Sequence, residues 1–321
     1  MYTRRVRAPL TAASLLAPLL LACGDRPEPP KKIPPRVEAT PATDPAAARR
    51  LPSGVRYELG NERKHSCVRT VCVGGPGELT DEANRDLGEL CRRAPGIVRR
   101  CEGAECASVW TVAQWPEAVD ALASSLDVDL DGDIDADDPR CTIHLAGWST
   151  GATIVSEALP DSFARHPRVP RDRARIGNLV AIAPWAEGRP ALKVDPRIAK
   201  AFVYRHTLTP EHDCSRAYPG GPWLSPTPVC GPKTQCWDYD YSLEPTLAYV
   251  GRRGARSGAE VGHCSVVSLV AHIGLDNLTR GQEALTQMVP HYSNGEHGGR
   301  VHQGPAKPDP IELLDNPHQP D

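Results

Sequence analysis

The chain contains no C-x-x-C pair, no internal repeat, no apolar run long enough to span a bilayer, and no basic segment interleaved with aromatics. Each absence excludes something. Cysteine-ligated zinc usually draws on closely spaced pairs, so the missing C-x-x-C argues against a zinc site. Without a repeat, solenoid and propeller architectures have no basis. The apolar run from Leu10 to Ala22 falls short of the ~20 residues that a membrane-spanning helix needs. A net charge of -3 with scattered basic residues offers neither an electrostatic footprint nor a stacking platform for nucleic acid.

The ends of the chain are distinctive. Arg4, Arg5 and Arg7 precede the short apolar run, which closes on Leu20-Leu21-Ala22-Cys23. A basic stretch followed by a short apolar one suits an exported, cleaved peptide. The segment resembles a bacterial lipoprotein signal. The resemblance implies that residues 1–22 are removed, that Cys23 is lipidated as the mature N-terminus, and that the protein is anchored in the cell envelope outside the cytoplasm. An ordinary secretory signal cut nearby would leave a soluble protein instead. Residues 23–54 are rich in Pro, Ala and charge, too poor in large apolar groups to offset the entropy of ordering, and are expected to form a disordered tether. The tail, residues 291–321, has similar composition and the same expectation. Residues 55–290 between them suit one sizeable α/β domain better than two small ones.

Eleven cysteines is an odd count. Assigning Cys23 to a lipid leaves ten that can all pair, and an exported protein meets an oxidising compartment, so a disulfide framework is expected. Spacing does not give the connectivity, though Cys101 with Cys106 and Cys230 with Cys236 would close short loops.

The most informative stretch is Cys141 to Leu159. Thr142 to Ala146 reads as a buried strand, Gly147-Trp148-Ser149-Thr150-Gly151 follows, and Ala152, Val155 and Leu159 recur at helical spacing. A serine at such a strand-to-helix turn is lifted clear of the backbone, and flanking glycines let strand and helix approach closely. A glycine-rich turn with an ordinary serine is the plain alternative. The pattern resembles the nucleophile elbow of the α/β-hydrolase family. That likeness covers about Arg69 to Val289 and implies a mostly parallel sheet with helices on both faces and a triad in chain order serine, acid, histidine.

Within that resemblance, one oxyanion donor is the N–H of Thr150 and the other comes from a loop after an earlier strand. Arg69 to Val73 reads as that strand, and Gly74-Gly75-Pro76-Gly77 follows it. The loop resembles the HGGPG segment of proline-iminopeptidase-like hydrolases, with Val73 where they carry histidine, and makes Gly75 the second donor unless it is only a turn. Asn178 to Trp185 and Ala201 to Arg205 read as the next buried strands. The acid should follow the second, at Asp213 or Glu211, with Asp213 preferred because Cys214 beside it could fix the loop. The histidine should follow in turn. His263 precedes a segment, Cys264 to Leu278, whose apolar residues mark a helical face, whereas His272 would lie within that helix and His291 at its far end.

A second signal lies just before the elbow strand. Asp127 to Asp138 is a twelve-residue run with oxygen donors Asp127, Asp129, Asp131, Asp135 and Asp138 at positions 1, 3, 5, 9 and 12, Gly132 at position 6, and Asp133 at position 7 to supply a carbonyl. Ile134 takes the apolar position 8. The run resembles an EF-hand loop of the dockerin kind and implies one Ca2+, in a structural role. It departs from that pattern in Asp138, where a bidentate Glu is usual, and in leading to a strand rather than a helix. Pro116 to Leu126 before it reads as an amphipathic helix. A solvated acidic turn is the alternative.

Together these readings point to a lipid-anchored serine hydrolase outside the cytoplasm, acting on a small-molecule or lipid ester as a carboxylesterase or lipase. The rivals are a non-catalytic calcium-binding lipoprotein on the same scaffold, favoured if His263 cannot reach Ser149, and a serine peptidase. Trp223, Trp237, Tyr239 and Tyr241, between Tyr218 and Tyr249, would suit a disulfide-stapled cap over an acyl or aromatic pocket, or a packed surface excursion.

Overall fold

The computed structural model describes residues 49–62, 67–76, 81–207, 213–217, 221–240, 249–251, 254–256, 262–281 and 301–303. The chain divides after Glu38, and every described residue belongs to the second unit, Ala39–Asp321. In chain order the elements are β1 (Arg49–Arg50), β2 (Arg56–Gly60), β3 (Val68–Val73), α1 (Asp81–Arg93), β4 (Ile97–Glu102), β5 (Glu105–Ala107), α2 (Trp115–Ser124), β6 (Thr142–Trp148), α3 (Thr150–Ser156), α4 (Ala158–Ala164), β7 (Ile176–Ile182), β8 (Ala191–Lys193), β9 (Ile198–Arg205), β10 (Thr227–Val229), β11 (Gln235–Asp240), β12 (Tyr249–Gly251), β13 (Gly254–Arg256), α5 (Ser265–Arg280) and β14 (Val301–Gln303).

The main sheet runs β1-β2-β4-β3-β6-β7-β9-β11-β14, with β5 paired to β4. From β4 through β11 the neighbours are parallel, and β2 and β14 add antiparallel edges. The period of two along each central strand explains why both faces are apolar. Val71 and Val73, Leu145, Leu179 and Ala181, and Ala201 and Val203 point into one core with the apolar sides of α2, α3 and α4. Their neighbours Cys72, Ala146, Trp148, Val180, Ile182, Phe202 and Tyr204 point into the other, where α1 and α5 supply Leu87, Leu90, Val266, Val270 and Leu278. Five disulfides pair all ten cysteines from Cys67 onward: Cys67–Cys141, Cys72–Cys91, Cys101–Cys106, Cys214–Cys264 and Cys230–Cys236. Among the described residues no helix is long and apolar enough to cross a membrane.

Three expectations are corrected. Arg49–Arg50, assigned to the tether, pairs with β2, and Leu51 is buried because it joins the core on the β2 side. Val301–Gln303, assigned to the unstructured tail, pairs with β11 and covers an edge that would otherwise expose unpaired backbone. Part of the segment read as a cap or a packed surface excursion is also strand, β10 and β11. Within β11, Trp237 stacks on Phe202 at 4.5 Å and Tyr239 on Tyr204 at 4.7 Å, so these aromatics fill the core instead of lining a pocket. Tyr241 lies outside the described residues.

Candidate active site

Ser149 sits where β6 ends and α3 begins, with φ 58° and ψ −130°. A side-chain-bearing residue holds such a conformation only when its surroundings over-determine it. They do so here. The Ser149 N–H donates to the Ile182 carbonyl at 3.0 Å, and its own carbonyl accepts from Ala152 at 3.0 Å and Trp185 at 3.2 Å. The flanking glycines are required by space: a Cβ on Gly151 would meet the Val73 carbonyl oxygen at 2.2 Å, and one on Gly147 would meet the Gly151 carbonyl carbon at 2.7 Å.

His263 meets the serine. Its Nε2 lies 2.8 Å from Ser149 Oγ, and both residues are fully buried. The histidine precedes α5, and its backbone is fixed by Trp148, whose Nε1–H donates to the His263 carbonyl at 3.1 Å. Trp148 and Trp223 pack beside the imidazole, and Trp185 packs on Trp223. Burial first, and then the neighbouring His206, pushes the imidazole well below the ordinary value of 6.5, against the Trp223 carbonyl, which favours the cation. A neutral imidazole with an open Nε2 lone pair is the form that accepts a serine proton.

Asp213, expected to face the imidazole, does not. One carboxylate oxygen accepts from the Ser215 N–H at 3.1 Å and from its hydroxyl at 2.5 Å, and the other accepts from the Cys264 N–H at 3.3 Å. Two neighbouring backbone donors and a hydroxyl satisfy it locally, beside the Cys214–Cys264 disulfide, and so it fixes the chain next to His263 while making no hydrogen bond to the ring. The far nitrogen, Nδ1, instead meets the Trp223 carbonyl at 3.1 Å and His206 Nε2 at 3.3 Å. His206 was missed because the fold resemblance directs attention to carboxylates after β9, yet it directly follows that strand. Glu211 and His291 lie outside the described residues, and of His272 only the backbone, within α5, is described.

The oxyanion candidates fare differently. Thr150 opens α3, so its N–H is among those without an intrahelical acceptor. Gly75 lies against the serine, since a Cβ there would come within 3.0 Å of Ser149 Cβ. Its N–H, however, donates to the Asn84 side-chain oxygen at 3.1 Å, and that contact competes with an oxyanion. Asn84 had no signal in the sequence.

The acidic loop folds back on itself. Asp127, Asp129 and Asp131 bring one carboxylate oxygen each within 4.8 Å of one another, while Asp133, Asp135 and Asp138 lie outside that group. Asp138, expected to be a ligand, is buried and accepts from the N–H groups of Val128 and Asp135 at 2.6 and 3.2 Å. Asp127 is buried, and its Oδ1 has no hydrogen-bond partner among the described residues. Ile134 joins the core on the α2 side. Arg168 bridges Asp127 Oδ2 and the Gly132 carbonyl at 2.9 and 2.7 Å, and Arg173 reaches the carbonyls of Asp138 and Asp135. Arg168, paired with Asp127, neutralises part of the loop's charge. The donor set of Asp127, Asp129 and Asp131, with an unpaired buried oxygen, fits a hard divalent cation. Cys23 lies outside the described residues.

No protein-family model and no curated protein matches the chain. Solved structures to which it is similar include an α/β serine hydrolase without a lid from Xanthomonas campestris, at 19% identity and a TM-score of 0.29, covering 58% of this chain and 84% of that one. Another is an esterase from Pyrobaculum calidifontis, at 19% identity and a TM-score of 0.24, covering 44% of this chain and 46% of that one.

Proposed function

We propose that the protein is a serine hydrolase that cleaves carboxylic esters through an acyl group carried on Ser149. The observation that carries this reading is the 2.8 Å contact between Ser149 Oγ and His263 Nε2 on a strained strand-to-helix turn. As the hydroxyl attacks the acyl carbon, its proton passes to Nε2 and the carbonyl electron pair moves to oxygen, with the Thr150 N–H at the start of α3 as its donor. The tetrahedral intermediate collapses, and Nε2 returns the proton to the leaving alcohol. Water then repeats the sequence to free the acid. The aromatic surroundings of His263 favour an apolar acyl or alcohol group over a charged one.

Two further features belong to the same proposal. Cys23 carries a lipid that holds the domain outside the cytoplasm, a reading supported by the terminal Leu-Ala-Cys after a short apolar run. The loop 127–138 holds one Ca2+ through Asp127, Asp129 and Asp131, and the ion's contribution is to neutralise the carboxylates and stiffen the approach to β6. The test of the hydrolase reading is a fluorophosphonate probe with a panel of p-nitrophenyl esters and peptide anilides. Labelling at Ser149 and turnover of esters support it. Resistance of the folded protein to the probe favours the non-catalytic reading, and turnover of anilides alone favours a peptidase.

A further inference from the structure

The position against His263 Nδ1 is held by an imidazole and a backbone carbonyl where a carboxylate was expected. For Ser149 to give its proton to Nε2, that nitrogen must present a lone pair, so neutral His263 must carry its own proton on Nδ1. Whatever accepts from Nδ1–H therefore selects the reactive tautomer. The acceptors are the Trp223 carbonyl at 3.1 Å and His206 Nε2 at 3.3 Å.

His206 is built for a fixed position. It is fully buried, its N–H faces the Ser225 hydroxyl at 3.3 Å, and its carbonyl accepts from the Ser225 N–H at 3.0 Å. Ser225 lies two residues after Trp223, so the two acceptors for Nδ1–H are joined in one clamp. Arg205 just before it pairs with Asp238 at 2.6 Å and Asp240 at 3.1 Å on β11, which fixes the end of β9 from the other side. The two imidazole rings meet edge to face, with centroids 5.4 Å apart.

We propose that His206 is the positioning residue of this site, its Nε2 lone pair accepting from His263 Nδ1–H and holding His263 in the tautomer that deprotonates Ser149. The proposal rests on the reading of Ser149 as nucleophile and His263 as base. In the attack step the Ser149 proton moves to His263 Nε2, the Oγ–acyl bond forms and the carbonyl pair moves to oxygen. The His263 imidazolium keeps its Nδ1–H, shared with His206 and the Trp223 carbonyl, and no proton transfers to His206. When the intermediate collapses, the Nε2 proton leaves with the alcohol and both rings return to their starting form.

Three measurements decide it. His206→Leu removes the acceptor and should lower kcat about 10- to 100-fold, milder than loss of a triad acid because the Trp223 carbonyl remains, with KM within about twofold. His206→Gln keeps an acceptor oxygen and should recover most of that loss. Nitrogen-15 NMR of the wild type should find His263 protonated at Nδ1, with mixed tautomers in His206→Leu. Wild-type kcat in His206→Leu, a His206→Gln no better than His206→Leu, or a wild-type His263 protonated at Nε2 would each overturn the proposal. If His206→Leu fails to fold, the wild-type tautomer and His206→Gln decide alone. Probe labelling of Ser149 in the wild type separates the two levels: if it labels and the His206 results are negative, only the role of His206 falls, whereas absence of labelling removes the hydrolase reading itself.

Discussion

At the scale of single residues, the sequence was most legible where one motif imposes one geometry. The Gly-Trp-Ser-Thr-Gly run implied a turn too tight for side chains on its glycines, and Ser149 occupies it with a positive φ. His263 was legible from chain order and from the helical face after it. Asp213 was not, because a carboxylate near the right strand end is satisfied just as well by the Ser215 and Cys264 backbone as by an imidazole, and sequence spacing cannot distinguish the two. Under the proposed mechanism, Ser149→Ala and His263→Ala should each lower kcat by about three orders of magnitude or more, and the double variant should be little worse because the two act together. Unchanged turnover in either would remove that residue from the mechanism. The pH dependence follows from His263, whose pKa is held down by burial and by His206. The acid limb of kcat/KM should therefore fall below pH 6.5, and a midpoint at or above it would contradict a neutral buried base. The same shift affects stability. Below 6.5 the unfolded chain takes up a proton that the folded chain refuses, so stability falls as the pH drops from 6.5 through the depressed value.

At the scale of elements, runs of apolar residues bounded by turn formers located β3, β6, β7 and β9, and helical spacing located α2 and α5. The strand β11 escaped notice because its residues, Gln-Cys-Trp-Asp-Tyr-Asp, alternate aromatic with acidic groups. Both aspartates are buried against Arg205, a partner far away in the chain. The elbow's glycines give a sharp test. Gly151→Ala places a methyl group against the backbone oxygens of Val73 and Gly74, at 2.2 and 2.3 Å, where no flexible side chain can give way. Thermal unfolding should register a loss of about 1 to 3 kcal/mol, with turnover falling because β3 and α3 are pushed apart behind the serine. An alanine variant as stable and active as the wild type would refute the tight contact. The loop before β6 gives another. If Asp127, Asp129 and Asp131 hold Ca2+, its addition should raise the melting temperature by mass action, and Asp127→Ala with Asp131→Ala should lose that response. A melting curve indifferent to both calcium and chelator would rule out the ion and leave Arg168, paired with Asp127, to neutralise part of the loop's charge.

At the scale of the whole molecule, the disulfides reinforce neighbouring strands and tie helices and loops to the sheet. Cys67–Cys141 joins the starts of β3 and β6, Cys72–Cys91 pins α1 to β3, and Cys214–Cys264 links the chain after β9 to the histidine before α5. Closing a loop as long as the 50-residue separation of the last pair restricts the unfolded chain by about 4 kcal/mol in the entropic view. Such a framework needs an oxidising compartment to form. Pairing all ten cysteines from Cys67 onward leaves Cys23 over, and the proposal gives it a lipid. A single acyl chain binds a membrane only marginally, so stable anchoring requires more than one chain on Cys23. Expressed in a bacterium with its full N-terminus, the wild type should therefore fractionate with membranes, and mass spectrometry of its N-terminal peptide should show acyl chains on Cys23. Cys23→Ser should move the protein to the soluble extracytoplasmic fraction with its turnover intact. A wild-type N-terminal peptide without lipid, together with a variant that stays in the membrane fraction, would show that another feature holds the domain there.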